Sequence, residues 1–386
     1  MKQKLEIRNF NLRLMILLIT ISVMGLVAIG SAKASVQTKQ AFGVVFGVFV
    51  MLVIAFFDYH FTLKFYWIIY FANLGLLVLV DRFGDSSHNA QRWIEIMGIR
   101  FQPSETAKIL LILFYAQFIM KNRERINDIR IIGIMIGLIL PPLYLVYKQP
   151  DLSTTIMLVI IFCMMLYVGG LSHKIIIGTL AVVIPAVVVV IFLILQPDQT
   201  LVKPYQQERV LAWLQPDKYA LTTAYQQQNS ITAIGSGQLW GKGLNNNEIG
   251  SVKNGNYISE PQTDFIFAII GEETGFVGSA AVIILLMLIA AECFRTGMKA
   301  ADLAGEIICF GMGTIICFQS FINIGVTTGL LPNTGLPLPF VSYGLTSLVS
   351  LYAGMGFVLS VSLRRKTQER KTVQYVAMPE PDFNQF

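Results

Sequence analysis

Leu14-Met15-Ile16-Leu17-Leu18-Ile19-Thr20-Ile21-Ser22-Val23-Met24-Gly25-Leu26-Val27-Ala28-Ile29-Gly30 carries no charged side chain. As a helix rising 1.5 Å per residue this run covers about 25 Å, close to the roughly 30 Å of a bilayer's hydrocarbon core. Arg8 and Arg13 stand before it and Lys33 after it. Lys2, Lys4, Arg8 and Arg13 followed by an apolar run and Ala32-Lys33-Ala34 imitate a cleaved secretion signal. The run is long for a signal core and similar runs follow, so a retained first helix is expected. Blocks of the same character recur near 41–57, 62–80, 103–120, 131–147, 153–169, 174–195, 263–293, 305–328 and 340–362. The fold class read from them is an all-α polytopic membrane protein of about ten transmembrane helices, a single membrane domain over 1–386.

Composition supports this reading. The 386 residues are 54% hydrophobic and 13% charged, against about 25% charged in soluble domains. The net charge of +6 does not point to nucleic acid, because Lys and Arg sit between the apolar blocks rather than along one polar face. Cys163, Cys293, Cys309 and Cys317 lie inside apolar blocks without CxxC spacing, and are read as buried small side chains rather than a disulfide framework or zinc site.

An even number of spans puts both termini on one side. The N-terminal cations, Lys121, Arg123, Arg125, Arg130, Arg295, Lys299, Arg364, Arg365, Lys366, Arg370 and Lys371 all fall on that side, which the positive-inside rule makes cytoplasmic. The tail 363–386 lies there too. Segments 81–102, 148–152, 196–262 and 329–339 face the other way and hold most Gly, Pro and polar clusters. The large extracellular loop 196–262, between the seventh and eighth helices, is longer than a structural connection needs.

Chemistry is expected on that outer face. Asp264 stands where the long loop enters Phe265-Ile266-Phe267-Ala268-Ile269-Ile270. It can cap a helix, or act as a partly desolvated carboxylate, raised in basicity, at the rim of a cavity. Glu105 and Lys108 share one helical face and can form a structural pair or meet substrate. Glu272 and Glu273 read as interhelical hydrogen-bonding groups. Arg82, Arg92, Arg100, Lys148, Arg209, Lys242 and Lys253 are outer-face cations, either solvated or set to hold a pyrophosphate.

Gly235-Ser236-Gly237-Gln238-Leu239-Trp240-Gly241-Lys242-Gly243 lacks nucleotide-loop spacing and reads as a tight turn or a loop offering N–H groups to a polyol or phosphate. Leu331-Pro332-Asn333-Thr334-Gly335-Leu336-Pro337-Leu338-Pro339 cannot be regular helix, so its backbone must be buried in protein or line a cavity. His60, His88 and His173 are scattered, and no metal site is expected. A divalent cation, magnesium or manganese, carried by substrate phosphates would leave little trace in the sequence.

Taken together, several of these stretches resemble the SEDS family of bacterial wall synthesis, which includes RodA, FtsW and SpoVE. They are Ala90-Gln91-Arg92-Trp93-Ile94, Phe101-Gln102-Pro103-Ser104-Glu105 with Lys108, Gln149-Pro150-Asp151-Leu152 and Ala233-Ile234-Gly235-Ser236-Gly237. Gly241-Lys242-Gly243, Thr263-Asp264-Phe265 with Gly271-Glu272-Glu273, and Pro337-Leu338-Pro339-Phe340-Val341-Ser342-Tyr343-Gly344 complete the set.

The resemblance implies a ten-helix peptidoglycan glycosyltransferase of the plasma membrane. It would join lipid II into glycan strands, release undecaprenyl pyrophosphate and work beside a class B penicillin-binding protein. Asp264 would be the essential carboxylate, with Arg92, Arg209 and Lys242 on the pyrophosphate and Glu105, Lys108 and Glu260 at the substrate. Asn229, Ser259, Pro261 and Leu345 depart from the family pattern, and Gln262 takes the place of its histidine beside Asp264. Gly241-Lys242-Gly243 and the short tail lean towards a RodA-like member. A lipid II flippase and a non-catalytic scaffold for the transpeptidase are the rival readings.

Overall fold

The structure, a computed structural model, describes residues 6–87, 90–96, 99–196, 204–245, 251, 255 and 257–365. Lys2, Lys4, His88, Lys253, Lys366, Arg370, Lys371 and nearly all of the tail 363–386 lie outside the described residues. In chain order the helices are α1 Leu12–Ala32, α2 Ala34–Phe56, α3 Tyr59–Lys64, α4 Tyr66–Phe83, α5 Pro103–Lys121, α6 Ile129–Lys148 and α7 Leu152–Val168. They continue with α8 His173–Ile194, α9 Pro204–Leu214, α10 Tyr225–Ser236, α11 Ile266–Met298, α12 Leu303–Thr327 and α13 Leu345–Leu363. Among the described residues α1, α2, α4, α6, α11, α12 and α13 are each long and apolar enough alone to cross a membrane. With α5, α7 and α8 the long helices number ten. The chain is a multi-pass membrane protein.

Polar side chains start these helices where the sequence supplies them. Asn11 accepts the Leu14 N–H, Asp128 that of Arg130, Asp151 that of Thr154 and Asp302 that of Gly305. Pro103 opens α5, where its missing N–H costs nothing. The helix expected over 62–80 divides at Phe65 into α3 and α4. The one expected over 340–362 begins at Leu345, because Phe340 has φ +62° and its neighbours form turns.

Helices α12 and α13 form the centre, with α5 packed against both, while α2, α4 and α6 turn most of their surface outward. Hence α5 can carry Glu105 and Lys108: both face protein and not lipid, at 2% and 1% exposure. The expectation of four buried cysteines holds for Cys293 and Cys309, is met in part at the half-buried Cys317 and fails at Cys163, which is exposed on α7. An exposed thiol in a membrane helix faces lipid, which tolerates a small apolar side chain as well as a protein core does.

Two segments between the long helices are more ordered than the sequence suggested. Residues 85–101 fold into an antiparallel sheet of β1 Asp85–Ser87, β2 Ala90–Ile96 and β3 Ile99–Phe101, in that order, with Asp85 opposite Trp93 and Ile94 opposite Phe101. The long loop contains α9 and α10, and α10 packs on α11.

Helix α11 is broken at Gly275, with φ +63° and ψ −158°, a conformation open essentially to glycine. The break is closed by residues 238–243. Lys242 and Gly243 donate their N–H groups to the carbonyls of Glu272 and Glu273, at 2.9 and 3.0 Å. Phe276 and Val277 donate theirs to the carbonyls of Gln238 and Leu239, at 2.8 and 3.2 Å. The glycine-rich segment is therefore a strap that replaces the helix's own bonds, and those two N–H groups are not available to a phosphate. Close approach demands glycine on both sides, since a Cβ on Gly275 would stand 2.4 Å from the Gly241 nitrogen.

Gly275→Ala is expected to lower the melting temperature in detergent, with a destabilisation above the roughly 1–3 kcal/mol of backbone strain alone. Gly137→Ala on α6, where an added Cβ meets nothing within 4 Å, is the comparison that should melt close to wild type.

Candidate active site

Residues 261–265 form turns leading into α11. The helix is capped by Phe265 without a side-chain bond, so the capping role open to Asp264 is not taken. Its carboxylate forms part of a cavity wall instead.

The backbone around Asp264 is fixed by side chains of α12 and of the turn before α13. Asn323 of α12, 1% exposed, donates to the carbonyls of Asp264 and Leu336 at 2.8 and 2.7 Å. Ser342 donates to the Thr263 carbonyl at 2.6 Å and accepts the Leu338 N–H at 2.8 Å. Gln319 donates to the Pro337 carbonyl at 2.9 Å. The proline-rich segment is thereby fastened beside Asp264, and Asn333, Thr334 and Gly335 line the cavity. Gly335, at φ +74°, presents bare backbone: a Cβ there would lie 3.3 Å from Asp264 Oδ2.

The cavity measures about 670 Å³, within the usual range for small-molecule sites. Lys39, Arg92, Arg100 and Arg209 line it together with the carboxylates of Glu260 and Asp264. Burial pushes the Asp264 carboxyl up to about 6, with Arg209 and Arg92 pulling it back and Asp151 and Glu260 pushing it further. A carboxylate so placed is ionised at neutral pH yet basic enough to accept a proton from a hydroxyl.

Arg92, on β2, is oriented by donating to the backbone carbonyls of Gln149, at 3.1 Å, and Pro150. Arg209, on α9, donates to the Asn333 carbonyl at 3.4 Å. Glu260 accepts from the side chain of Gln262 and lies 3.9 Å from the Lys33 ammonium.

The remaining residues singled out in the sequence stand elsewhere. Lys108 bonds Glu105 at 2.8 Å and Gln319 at 2.7 Å, and Ser347 bonds the other Glu105 oxygen at 2.7 Å. Neither Glu105 nor Lys108 lines the cavity; the pair supports Gln319, which in turn holds Pro337. Lys242 pairs with Glu272 at 2.8 Å beside the break in α11 and is likewise absent from the cavity wall. In this structure Glu105, Lys108 and Lys242 are thus each paired with a protein side chain, away from the cavity wall around Asp264. Glu273 accepts from Ser31 of α1, an interhelical bond. Lys39 and Asn323 were not singled out in the sequence, and Ser342 stood only within the motif 337–344, with no role of its own. Lys39 had a signal, since it lies in the turn between the first two spans, on the outer side of that scheme. Among the described residues no group of three or more His, Cys, Asp and Glu side chains is placed to hold a metal.

Ten long helices with a cavity at one end, lined by Lys39, Arg92, Arg100 and Arg209 around the buried Asp264, describe a polytopic membrane protein with a polar, cation-rich site. Residues 6–367 match the family described as cell cycle protein, FtsW/RodA/SpoVE, and the chain belongs to that family. It is 38% identical over 299 residues to the peptidoglycan glycosyltransferase MrdB of Escherichia coli K12, covering 77% of this chain and 78% of that one. It is 30% identical over 382 residues to a probable peptidoglycan glycosyltransferase FtsW of Geobacter metallireducens, covering 94% and 96%.

Among solved structures, a chain from a peptidoglycan synthase complex that coordinates polymerization and crosslinking superposes with a TM-score of 0.74 at 27% identity, over 92% of this chain and 97% of that one. The rod shape determining protein RodA of Thermus thermophilus superposes with a TM-score of 0.68 at 25% identity, over 92% and 98%.

Glu105→Gln leaves the buried Lys108 charge uncompensated and is expected to destabilise by about 3–5 kcal/mol, read as a fall in melting temperature, while Glu105→Leu with Lys108→Met recovers most of it. Asn323→Leu releases the Asp264 carbonyl; a shift of about 1 Å in the base should lower kcat by about 10²-fold, measured with the melting temperature to separate misplacement from unfolding.

Proposed function

We infer that the chain is a RodA-type peptidoglycan glycosyltransferase that polymerises lipid II. The observation carrying this reading is the Asp264 carboxylate, held on the cavity wall with its pKa raised to about 6 by burial, against the opposing pull of Arg209 and Arg92. In the reaction a sugar 4-hydroxyl of one lipid-linked disaccharide attacks the anomeric carbon of another. The bond from that carbon to the pyrophosphate oxygen breaks, and the configuration inverts. Asp264 takes the hydroxyl proton as the new bond forms. Arg92 and Arg209, with Lys39 and Arg100 on the same wall, stabilise the charge that grows on the departing undecaprenyl pyrophosphate.

The carboxylates of Asp264 and Glu260 suit the oxygen-ligand preference of magnesium or manganese. A divalent ion bound there with the substrate phosphates would neutralise part of their charge. Arg8, Arg13, Arg125, Arg130, Arg295, Lys299, Arg364 and Arg365 belong to the end away from the cavity, which supports cytoplasmic termini and a cavity facing the outside of a bacterial plasma membrane. A class B penicillin-binding protein supplies the cross-linking of the strands made here, in cell elongation or division.

Asp264→Asn is expected to leave a folded protein whose glycan-strand formation from lipid II is at least about 10²-fold slower; wild-type rates from that variant would remove Asp264 as the base, and no strands from either protein, both folded and bound to the transpeptidase, would leave a flippase or a scaffold as the reading. Because the base must be ionised, the wild-type rate should fall as pH drops below about 6. Arg209→Gln, which removes a charge that lowers the carboxyl's proton affinity, should move that limb to higher pH.

A further inference from the structure

The end of the bundle away from Asp264 holds a second cavity, of about 690 Å³. Arg8 and Arg13 line it from the entry to α1, Arg295 and Lys299 from the end of α11, and Arg365 from the residue pair after α13, against the single carboxylate of Glu292. That carboxylate is already engaged, by Arg295 at 2.7 Å on one oxygen and by Asn11 at 3.3 Å on the other. Among the described residues Arg8, Arg13, Lys299 and Arg365 have no carboxylate within ion-pair distance. The Nε of Arg365 is buried without a hydrogen-bond partner.

The cations are gathered by the fold. The Glu6 N–H donates to the Leu363 carbonyl at 3.1 Å, and the Ser362 hydroxyl donates to the Asn9 carbonyl at 3.0 Å and accepts the Asn11 N–H at 3.2 Å. The Asn11 side chain also reaches Thr296 at 3.0 Å. Segment 6–11 is thus stapled to the ends of α11 and α13, holding Arg8 and Arg13 opposite Lys299 and Arg365. Collecting like charges in a concavity opposes folding unless an anion occupies it. The N-terminus of α1 adds its positive end to the same place. Beside the cations Ile7, Leu12 and Met298 are exposed at 71%, 54% and 67%. Cations at a helix end next to exposed apolar side chains match the boundary between lipid headgroup and acyl chain.

We propose that this cavity is a binding site for the phosphate group of an anion at the membrane surface, with an anionic phospholipid headgroup favoured as its source by Ile7, Leu12 and Met298. The site is separate from the glycosyltransferase centre, and its test does not depend on that activity. The purified full chain in neutral detergent is melted with phosphatidylglycerol, with phosphatidylcholine or with inorganic phosphate. Phosphatidylglycerol should raise the melting temperature by about 3 °C or more, and phosphatidylcholine should not. Arg13→Gln with Lys299→Gln should abolish the rise. Arg125→Gln with Arg130→Gln, which removes two exposed cations of the same end outside the cavity, should keep it.

A rise given in full by inorganic phosphate, with nothing added by phosphatidylglycerol, would keep the phosphate site and assign it to a soluble ligand. An equal rise with phosphatidylcholine, or an equal loss in the Arg125/Arg130 control, would overturn the proposal in favour of general surface attraction. Should the Arg13/Lys299 variant fail to fold, native mass spectrometry of the wild type decides: retained phosphatidylglycerol in preference to added phosphatidylcholine supports the site, and no bound phospholipid or phosphate overturns it.

Discussion

A peptide group at membrane depth has no water to bond, so every N–H and C=O there must find a partner within the protein. Ten helices meet this demand by themselves, but a helical bundle alone offers no place for polar chemistry. The protein obtains one by breaking the rule locally and repairing each break with another segment of chain. At Gly275 the repair is backbone to backbone, with the strap 238–243 exchanging four hydrogen bonds with the two halves of α11. Around Asp264 it is side chain to backbone, with Gln319, Asn323 and Ser342 bonding carbonyls that no helix would satisfy.

The buried pair of Glu105 and Lys108 belongs to the same system. An ammonium in the bundle centre is costly, and Lys108 is stabilised by Glu105 while it fixes the Gln319 amide that holds Pro337. The ion pair therefore acts on the site through the proline-rich segment, without touching the cavity. This explains how charged side chains can matter to a carboxylate that they never meet.

The apolar blocks made the ten long helices legible, because hydrophobic length is a property of each block alone. The position of Asp264 was legible for a related reason: a lone carboxylate at the mouth of an apolar run is unusual wherever the chain goes next. Less visible were features that depend on what approaches from elsewhere. The glycines of 235–243 announced a close approach but not its target, and Lys242 gave no sign that its partner was Glu272, thirty residues further along inside an apolar helix. The sheet over 85–101 is built from strands as short as three residues, too brief for a clear alternating pattern. Helices α9 and α10 are rich in Gln and Tyr, and α10 owes its place to packing on α11 rather than to an apolar face of its own.

The cavity wall runs in sequence from Lys39 to Leu345. Gln40, at the start of α2, is bonded on both sides to the approach to the last helix: its amide donates to the Ser342 carbonyl at 3.1 Å and its oxygen accepts the Gly344 N–H at 3.3 Å. A chain inserted into the bilayer from its N-terminus must therefore keep that polar group waiting until almost everything else has been made. No partial product of synthesis can enclose Asp264, so the capacity to build wall arrives all at once, with the seating of the final helix.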